Sequence, residues 1–397
     1  MTLRSQPSAF VIAMSTIYPT VAAASRPAAR VAVADKELPS LTPLRGIAAL
    51  WVVLYHFAVS FLPGLNIAHT TEFIGKGYLA VDLFFMMSGF VMTHVYYERL
   101  AQPSPGKYWG FLSARIARLY PLHLFILVLF VATAVAADAV HYALNGQPHM
   151  IPLTGAQSVT ALAANLLMLQ GLNPSELSWN YPAWSISAEF IAYLGFPLLL
   201  PWLWRASPRA KLGVAAGLVA ALFVLAYLKH NNFNQWGGSC ILLRCMPEFV
   251  LGTLLYAVYR SPQFPSVLGR DWVFLTLLAA DLVLLHFGLS DLAVVLTFPV
   301  LILAAIANKG MVAEILNAPV LVWLGERSYS LYLFHGLVQF ATMRLLVITG
   351  HPAIHRITGV SGLALVAAML VAALICSDLC HDVIENAGRD YVRRLLA

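Results

Sequence analysis

The chain has 397 residues, of which 60% are hydrophobic and only 11% are charged, and its mean hydropathy is +0.77. Soluble domains carry about 25% charged residues, so this composition excludes an ordinary soluble globular protein. The net charge of +6 would suit a nucleic-acid partner. The basic residues, however, flank apolar segments, so we expect the lipid bilayer as partner and no nucleic acid.

Apolar runs recur along the chain at the length that crosses a hydrocarbon core of about 30 Å. Each run must be helical, because lipid offers no water to satisfy an open backbone. We therefore predict an all-α integral membrane protein, a single bundle of about ten transmembrane helices. The runs lie at about residues 42–62, 77–97, 119–137, 185–203, 212–228, 240–259, 272–289, 292–307, 328–349 and 360–377.

The Lys and Arg residues lie asymmetrically about these runs. Most of the 24 fall on the side of the N-terminus, and only Lys76, Lys229 and Arg356 fall on the other side. This positive-inside pattern predicts that both termini are cytoplasmic, as in a multi-pass protein of a bacterial inner membrane. The stretch Gln157–Leu172 is shorter and amphipathic, and we interpret it as an interfacial or re-entrant helix.

The two ends of the chain differ from the membrane segment. Residues 1–38 are rich in Ala, Ser and Arg and are expected to form a disordered cytoplasmic tail. A weak signal-peptide pattern in the same stretch would instead leave the mature N-terminus outside, against the charge pattern. Residues 39–381 form the predicted membrane domain, and residues 382–397 a short cytoplasmic tail. The four cysteines lack the nearby further ligands of a zinc site, so no metal is expected.

Two ionisable residues share the first predicted span. Arg45 and His56 lie eleven residues apart, which on a helix places them on nearly the same face and about 16 Å apart along the axis. A charged residue in the middle of a span costs about 2.5–3.5 kcal/mol or more, so a function is one explanation. The alternative is an arginine that extends to the interface and a hydrogen-bonded core histidine.

Further ionisable residues fall at the depth of His56. Counting residues from the span ends places Asp82 and Glu189 in the outer half of the membrane, together with Arg244 and Arg344. We therefore predict one shared polar cavity, in which the side chains of His56 and Glu189 approach to within about 8 Å. The competing interpretation is a set of ion pairs that only ties the helices together.

The cytoplasmic side carries a separate cluster. Arg115 and Arg118 precede the third span at i, i+3 spacing, so both guanidinium groups lie on one helix face. Guanidinium groups bind phosphate through paired hydrogen bonds. Flanking arginines also belong to any positive-inside sequence, and Arg45 at the same membrane edge strengthens the phosphate interpretation.

Other polar or aromatic residues are candidates for the cavity lining. Small residues can simply permit close helix packing, and a histidine can simply bond two helices together. Near ionisable residues they are also candidates for contacting a ligand. These candidates are Ser88 in the second span, Trp184 at the border of the fourth, and Tyr329 and His335 in the ninth.

Several of these residues belong to motifs that occur in a fixed order. The motifs are residues 44–57, with Arg45 and His56 in an Arg-x10-His pattern; 81–90 around Asp82 and Ser88; 115–121, an Arg-x-x-Arg ahead of Tyr-Pro; 184–190, a Trp-Ser-x-x-x-Glu; and 328–335, which ends at His335. Together they resemble the acyltransferase family 3 of integral membrane O-acyltransferases. Ile186 and Ala188 vary the usual residues of the fourth motif. The resemblance covers roughly residues 41–340.

The resemblance implies acyl transfer from cytoplasmic acyl-CoA, often acetyl-CoA, to a glycan or glycolipid acceptor reached from the outer side. Acyl-CoA would be the donor substrate, with no permanently bound cofactor. Sugar hydroxyls are poor nucleophiles at neutral pH, so a general base or a covalent acyl carrier is required, and His56 could serve as either. The resemblance and the layout together make His56, Glu189 and Asp82 the catalytic candidates, and Arg45, Arg115 and Arg118 the candidates that hold the CoA phosphates.

Two other functions are compatible with the sequence, and only one of them needs a charged cavity in the membrane. A transporter of a lipid-linked saccharide or small organic acid would use a similar polar layer. A non-catalytic membrane scaffold would not need that layer. Transfer of a labelled acyl group to membrane glycan distinguishes the three.

Overall fold

The computed structural model describes residues 38–146, 155–172, 178–234, 240–351 and 353–396. Within these ranges all regular secondary structure is helical, without a β-strand. The expected tail 1–38 and its signal-peptide alternative lie outside the described residues, apart from Leu38.

The helices follow the predicted apolar runs. In chain order the α-helices are α1 (Leu41–Tyr55), α2 (Glu72–Gly75), α3 (Ala80–Leu100), α4 (Pro105–Asn145), α5 (Val159–Leu166), α6 (Trp184–Arg205), α7 (Pro208–Leu228), α8 (Cys240–Tyr259), α9 (Asp271–His286), α10 (Asp291–Ala307), α11 (Met311–Leu316), α12 (Pro319–Glu326), α13 (Ser328–Ile348), α14 (Gly359–Cys380) and α15 (Ala387–Leu395). The π-helical turns His56–Phe61 and His381–Asn386 continue α1 and α14.

In the described part of the chain, eight helices are long and apolar enough to cross a membrane. The predicted seventh and eighth spans correspond to α9 and α10, which have only 16 and 17 residues. A helix of that length reaches about 24–26 Å, less than the ~30 Å core. A multi-pass helical bundle is therefore confirmed, and the count of ten stays a prediction.

Helix α4 is much longer than the span predicted at 119–137. Its 41 residues extend about 61 Å, twice the thickness of a hydrocarbon core. The Ser104 hydroxyl caps its N-terminus, and Gly146 ends it with a left-handed φ of 70°. The sequence placed the start at the first apolar run, whereas the helix begins 14 residues earlier. Arg115 and Arg118 therefore lie on α4 itself.

The amphipathic stretch forms α5, whose N-terminus is capped by the Ser158 hydroxyl. The chain that follows turns into the protein instead of running along a surface. The Gln170 side chain donates to the Ala183 carbonyl over 2.8 Å, and both residues are buried. Trp184, the first residue of α6, is only 6% exposed. The fourth span thus begins from a segment that is buried in the protein.

Glycines let α3 and α8 pack backbone against backbone. A side-chain carbon added at Gly89 would overlap the carbonyl of Phe249, and one added at Gly252 would overlap the carbonyl of Met86. Close approach of this kind is how helices associate in lipid, where apolar surface alone supplies little attraction. The two glycines therefore define the contact between α3 and α8.

We expect Gly89→Ala to lower the melting temperature of the detergent-purified protein. The added methyl group must push α8 away, and overpacking of this kind costs about 1–3 kcal/mol. Gly217→Ala on α7 is the matched control, because nothing lies within 4 Å of the added carbon there. Equal melting temperatures for the two variants would contradict the close packing of α3 and α8.

Candidate functional site

A cavity of about 130 Å³ lies between α1, α3, α4, α6 and α13. Aromatic and aliphatic side chains form most of its wall, and polar side chains converge on it. The main polar lining residues are Arg45, Ser88, Arg115, Arg118, Glu189 and Tyr193.

The three arginines reach this cavity from two helices and are held differently. Arg45 on α1 makes no hydrogen bond to another residue within the described ranges. Arg115 donates from Nη2 to the Tyr96 hydroxyl over 3.1 Å, and its guanidinium carbon lies 5.4 Å from the centre of that ring. Arg118 forms an ion pair through Nη1 with Glu385. Guanidinium N–H groups therefore remain available to an anion in the cavity.

Glu189 on α6 is the carboxylate of the cavity wall. Its Oε1 accepts a hydrogen bond from the Ser88 hydroxyl over 2.6 Å and another from the Tyr193 hydroxyl. The Ser88 and Tyr193 hydroxyl oxygens also lie 3.0 Å apart. Three arginines against this carboxylate leave the lining with an excess of positive charge. The cavity thus favours an anionic ligand.

His56 pairs with His335, which lies 279 positions later on α13. His335 Nε2 is 3.1 Å from His56 Nδ1, and the ring centres are 4.8 Å apart. His56 Nδ1 is also 2.9 Å from the carbonyl oxygen of Val52. A carbonyl oxygen only accepts, so Nδ1 carries the proton and Nε2 carries the lone pair. His56 can therefore act as a base or nucleophile through Nε2.

Tyr332 separates this histidine pair from the cavity. It lines the cavity, and its ring centre lies 5.4 Å from that of His335. Its hydroxyl donates to the Pro182 carbonyl over 2.9 Å and lies 2.7 Å from the Ser185 hydroxyl. Tyr329, Tyr332 and His335 follow each other at intervals of three residues on α13, which places them along one helix ridge. This ridge connects the arginine end of the cavity with His56.

The structure does not place Asp82 in this cavity, in contrast to the sequence prediction. Arg244 Nε donates to Asp82 Oδ1 over 2.7 Å, and Nη2 donates to the other carboxylate oxygen. Arg244 also donates to the backbone carbonyls of Phe233 and Tyr78. Both members of the pair are buried, and they tie α3 to α8. The structure thus shows the ion pair of the competing interpretation, and the catalytic role of Asp82 stays a prediction.

Glu189 makes no hydrogen bond to His56 in the described part of the chain, and the single polar layer predicted for the outer half stays a prediction. Tyr181, and not Glu189, faces His56 from the fourth span, with ring centres 5.2 Å apart. Glu189 lies about two turns farther along and lines the cavity with the arginines. Trp184, which the sequence prediction places at the membrane border, is buried in the protein. Arg344 lies apart from the cavity, with its Nη1 3.9 Å from Asp138 Oδ1.

Some residues near the site were not found from the sequence. Glu385 lies in a segment interpreted as a tail, and Tyr193 carries no charge that would mark it. Glu248 on α8 is fully buried beside the Asp82–Arg244 pair, and a glutamate inside an apolar run was a usable signal. Among the described residues no group of three or more His, Cys, Asp or Glu side chains could hold a metal ion.

The chain is similar to one family of known proteins and to several of its members. A family model described as "Acyltransferase domain" matches residues 38–382. The acyltransferase MdmB of Streptomyces mycarofaciens is 30% identical over 378 residues, which cover 88% of this chain and 91% of that protein. The O-acetyltransferase OatA of Staphylococcus aureus is 24% identical over 334 residues, which cover 76% of this chain and 50% of that protein. No solved structure matches the chain.

Proposed function

The chain belongs to the acyltransferase 3 family, and on that premise we propose that it moves an acetyl group from acetyl-CoA to a hydroxyl group of an exported or surface glycan. The arginine cavity would hold the phosphates of the donor. His56 would act on the acceptor hydroxyl. The two named relatives, an acyltransferase and an O-acetyltransferase, support the reaction class.

The observation that carries this proposal is the arrangement of the cavity. Arg45, Arg115, Arg118 and Tyr332 line the same cavity, and Tyr332 contacts His335, which contacts His56. A donor with phosphates at the arginines could extend its pantetheine arm along this apolar cavity. Its thioester would then approach the histidine pair.

The chemistry needs the lone pair of His56 Nε2. The acceptor oxygen attacks the thioester carbonyl, the C–O bond forms and the C–S bond breaks. The hydroxyl proton passes to Nε2 and then to the leaving thiolate, which yields the ester and free CoA. When Nε2 takes this proton, Nδ1–H still donates to Val52 and to His335 Nε2, and these bonds strengthen on a positively charged ring. An acyl-histidine route would use the same Nε2 as nucleophile.

The proposed orientation of the protein in the membrane follows the distribution of its Lys and Arg residues. Both termini would be cytoplasmic in a bacterial inner membrane, and α9 and α10 would complete about ten spans. Arg115 and Arg118, on the cytoplasmic extension of α4, would then meet the soluble donor. The acceptor would reach His56 from the outer side, so that the acyl group crosses the membrane within the protein.

Purified protein incubated with radiolabelled acetyl-CoA and crude membrane glycan tests the function. We expect label in the glycan fraction and stoichiometric free CoA. Hydrolysis of acetyl-CoA without labelled glycan would rule out the acceptor class. Uptake of saccharide into vesicles without any acyl transfer would point to a transporter instead.

We expect Arg115→Gln to raise the KM for acetyl-CoA by about 10–100-fold, the equivalent of one charge-assisted hydrogen bond. The KM for the acceptor and the value of kcat should change little, because a phosphate clamp binds ground and transition states alike. Arg344→Gln is the matched control, since Arg344 does not line the cavity. Equal KM values in the two variants would leave Arg115 with a topological role alone.

A further inference from the structure

The π-helical turn His381–Asn386 carries a buried carboxylate, Glu385, which is 1% exposed. It accepts one hydrogen bond from Arg118 Nη1 on α4 and another from the Ser330 hydroxyl on α13. Nδ1 of His381, one turn earlier, lies 3.5 Å from the second carboxylate oxygen. Glu385 thus joins the C-terminal segment to α4 and α13, two of the helices that line the arginine cavity. It also lies beyond residue 382, where the match to the family ends.

The contact with Glu385 determines how Arg118 faces the cavity. Arg118 lines the cavity and makes no other hydrogen bond to the described residues. With Nη1 bound to Glu385, the Nε and Nη2 N–H groups remain as one edge of the guanidinium fork. Two adjacent N–H groups on one edge match two oxygens of a phosphate group. The carboxylate therefore leaves Arg118 oriented for a bidentate anion contact.

The backbone around Glu385 is held in place independently of this ion pair. Helix α15 continues from the turn and packs on α4 at Gly388, where an added side-chain carbon would lie 2.8 Å from Pro121 Cβ. Pro121 is three residues after Arg118 on the same helix. The close packing at Gly388 thus places a buried acid at a fixed distance from Arg118.

The other ion pairs of the C-terminal region differ from that of Glu385 because their carboxylates are exposed. The Asp378 carboxylate, paired with Arg327, has a side chain that is 48% exposed, and Asp390, paired with Arg389, one that is 58% exposed. Exposed pairs of this type add little to stability. Burying a carboxylate is costly unless it is paired and hydrogen-bonded, as Glu385 is. Among these acids, Glu385 alone contacts a residue of the cavity wall.

We propose that Glu385 is a positioning residue for the donor, which orients Arg118 so that its free edge binds a phosphate group of acyl-CoA. The inference rests on the proposed function in that acyl-CoA supplies this phosphate. The C-terminal segment is then part of the donor site and not a tail. Its removal would weaken donor binding while leaving His56 and its partners in place.

Titration of the full-length, detergent-purified protein with CoA tests the proposal. We expect Glu385→Ala to weaken the Kd for CoA by about tenfold or more, the equivalent of a lost charge-assisted contact. The KM for acetyl-CoA should rise by the same factor while kcat stays within about twofold, because only binding common to both states is lost. Glu385→Gln keeps an acceptor oxygen for Arg118 and should recover part of the loss.

Asp378→Ala is the matched control, and its Kd for CoA should equal that of the wild type. In an Arg118→Gln background, Glu385→Ala should have no further effect, since the acid acts only through that arginine. A wild-type Kd in Glu385→Ala, or a loss of equal size in the Arg118→Gln background, would overturn the positioning role. Tighter binding would overturn it too, because Glu385 would then compete with the phosphate. If the alanine variant does not fold, the glutamine variant carries the test.

The same CoA titration distinguishes a wrong donor assignment from a wrong positioning role. Wild-type protein that binds no CoA would remove the donor assignment and the inference with it. CoA binding by the wild-type protein, together with an unchanged Kd in the Glu385 variants, would remove only the positioning role.

Discussion

His56→Ala is expected to reduce acetyl transfer by at least about 10³-fold while the protein stays folded and inserted in the membrane. The reason is that Nε2 of His56 is the lone-pair nitrogen of the pair, given the proton on Nδ1 that is bound to Val52. The rate of label transfer from acetyl-CoA measures the effect. His56→Asn can still donate to the Val52 carbonyl but lacks the base, and it should be equally inactive.

His123 provides the opposite control for this experiment. It is buried on α4, and its Nε2 lies 2.8 Å from the Asn165 carbonyl oxygen, outside the site. We expect His123→Ala to lower the melting temperature and to leave the turnover of the remaining folded protein unchanged. Appreciable turnover in His56→Ala would exclude its catalytic role. A mass increase of one acetyl group on His56, trapped by acid quenching during turnover, would identify it as an acyl carrier.

Arg244→Met is expected to destabilise the protein by about 3–5 kcal/mol, the usual result of removing one partner of a buried ion pair. Asp82 would be left as a buried charge without its partner, and the carbonyls of Phe233 and Tyr78 would lose a donor. Thermal or denaturant unfolding in detergent measures the change. Arg209→Met on α7, an exposed position, is the matched control.

A double variant separates packing from chemistry at this pair. Asp82→Leu combined with Arg244→Met removes both charges and should recover part of the stability lost in Arg244→Met, because no unpaired charge remains. If Arg244→Met is as stable as Arg209→Met but inactive, the pair belongs to the catalytic machinery after all. That result would restore the role first predicted for Asp82.

The sequence indicates the charged residues of the cavity because a charged side chain costs free energy within a membrane span. Arg45, Arg115 and Arg118 stand out because charged groups beside or within apolar runs need an explanation, and i, i+3 spacing already places two of them on one face. The structure brings all three to one cavity. Local periodicity sufficed for Arg115 and Arg118 because they lie three residues apart on one helix, although α4 begins 14 residues before the predicted span.

The burial of the segment before α6 is not visible in the sequence. The predicted depth of Glu189 depends on Trp184 as an interfacial residue. The chain before α6 is instead buried, through the Gln170–Ala183 hydrogen bond. A span's register in the membrane depends on what its end packs against, and a single sequence carries no direct signal of that packing.

Composition and residue spacing are enough to predict the class of molecule and the charged residues of the cavity. Long apolar runs in lipid can only be helices, so composition alone dictates a helical membrane bundle. The partners of these residues depend on how the helices pack. The pairs His56 with His335, Arg118 with Glu385 and Asp82 with Arg244 join positions more than 160 residues apart. Helical periodicity relates residues within a few turns of each other. Which helices meet, and how deep, is set by packing details such as Gly89 against α8.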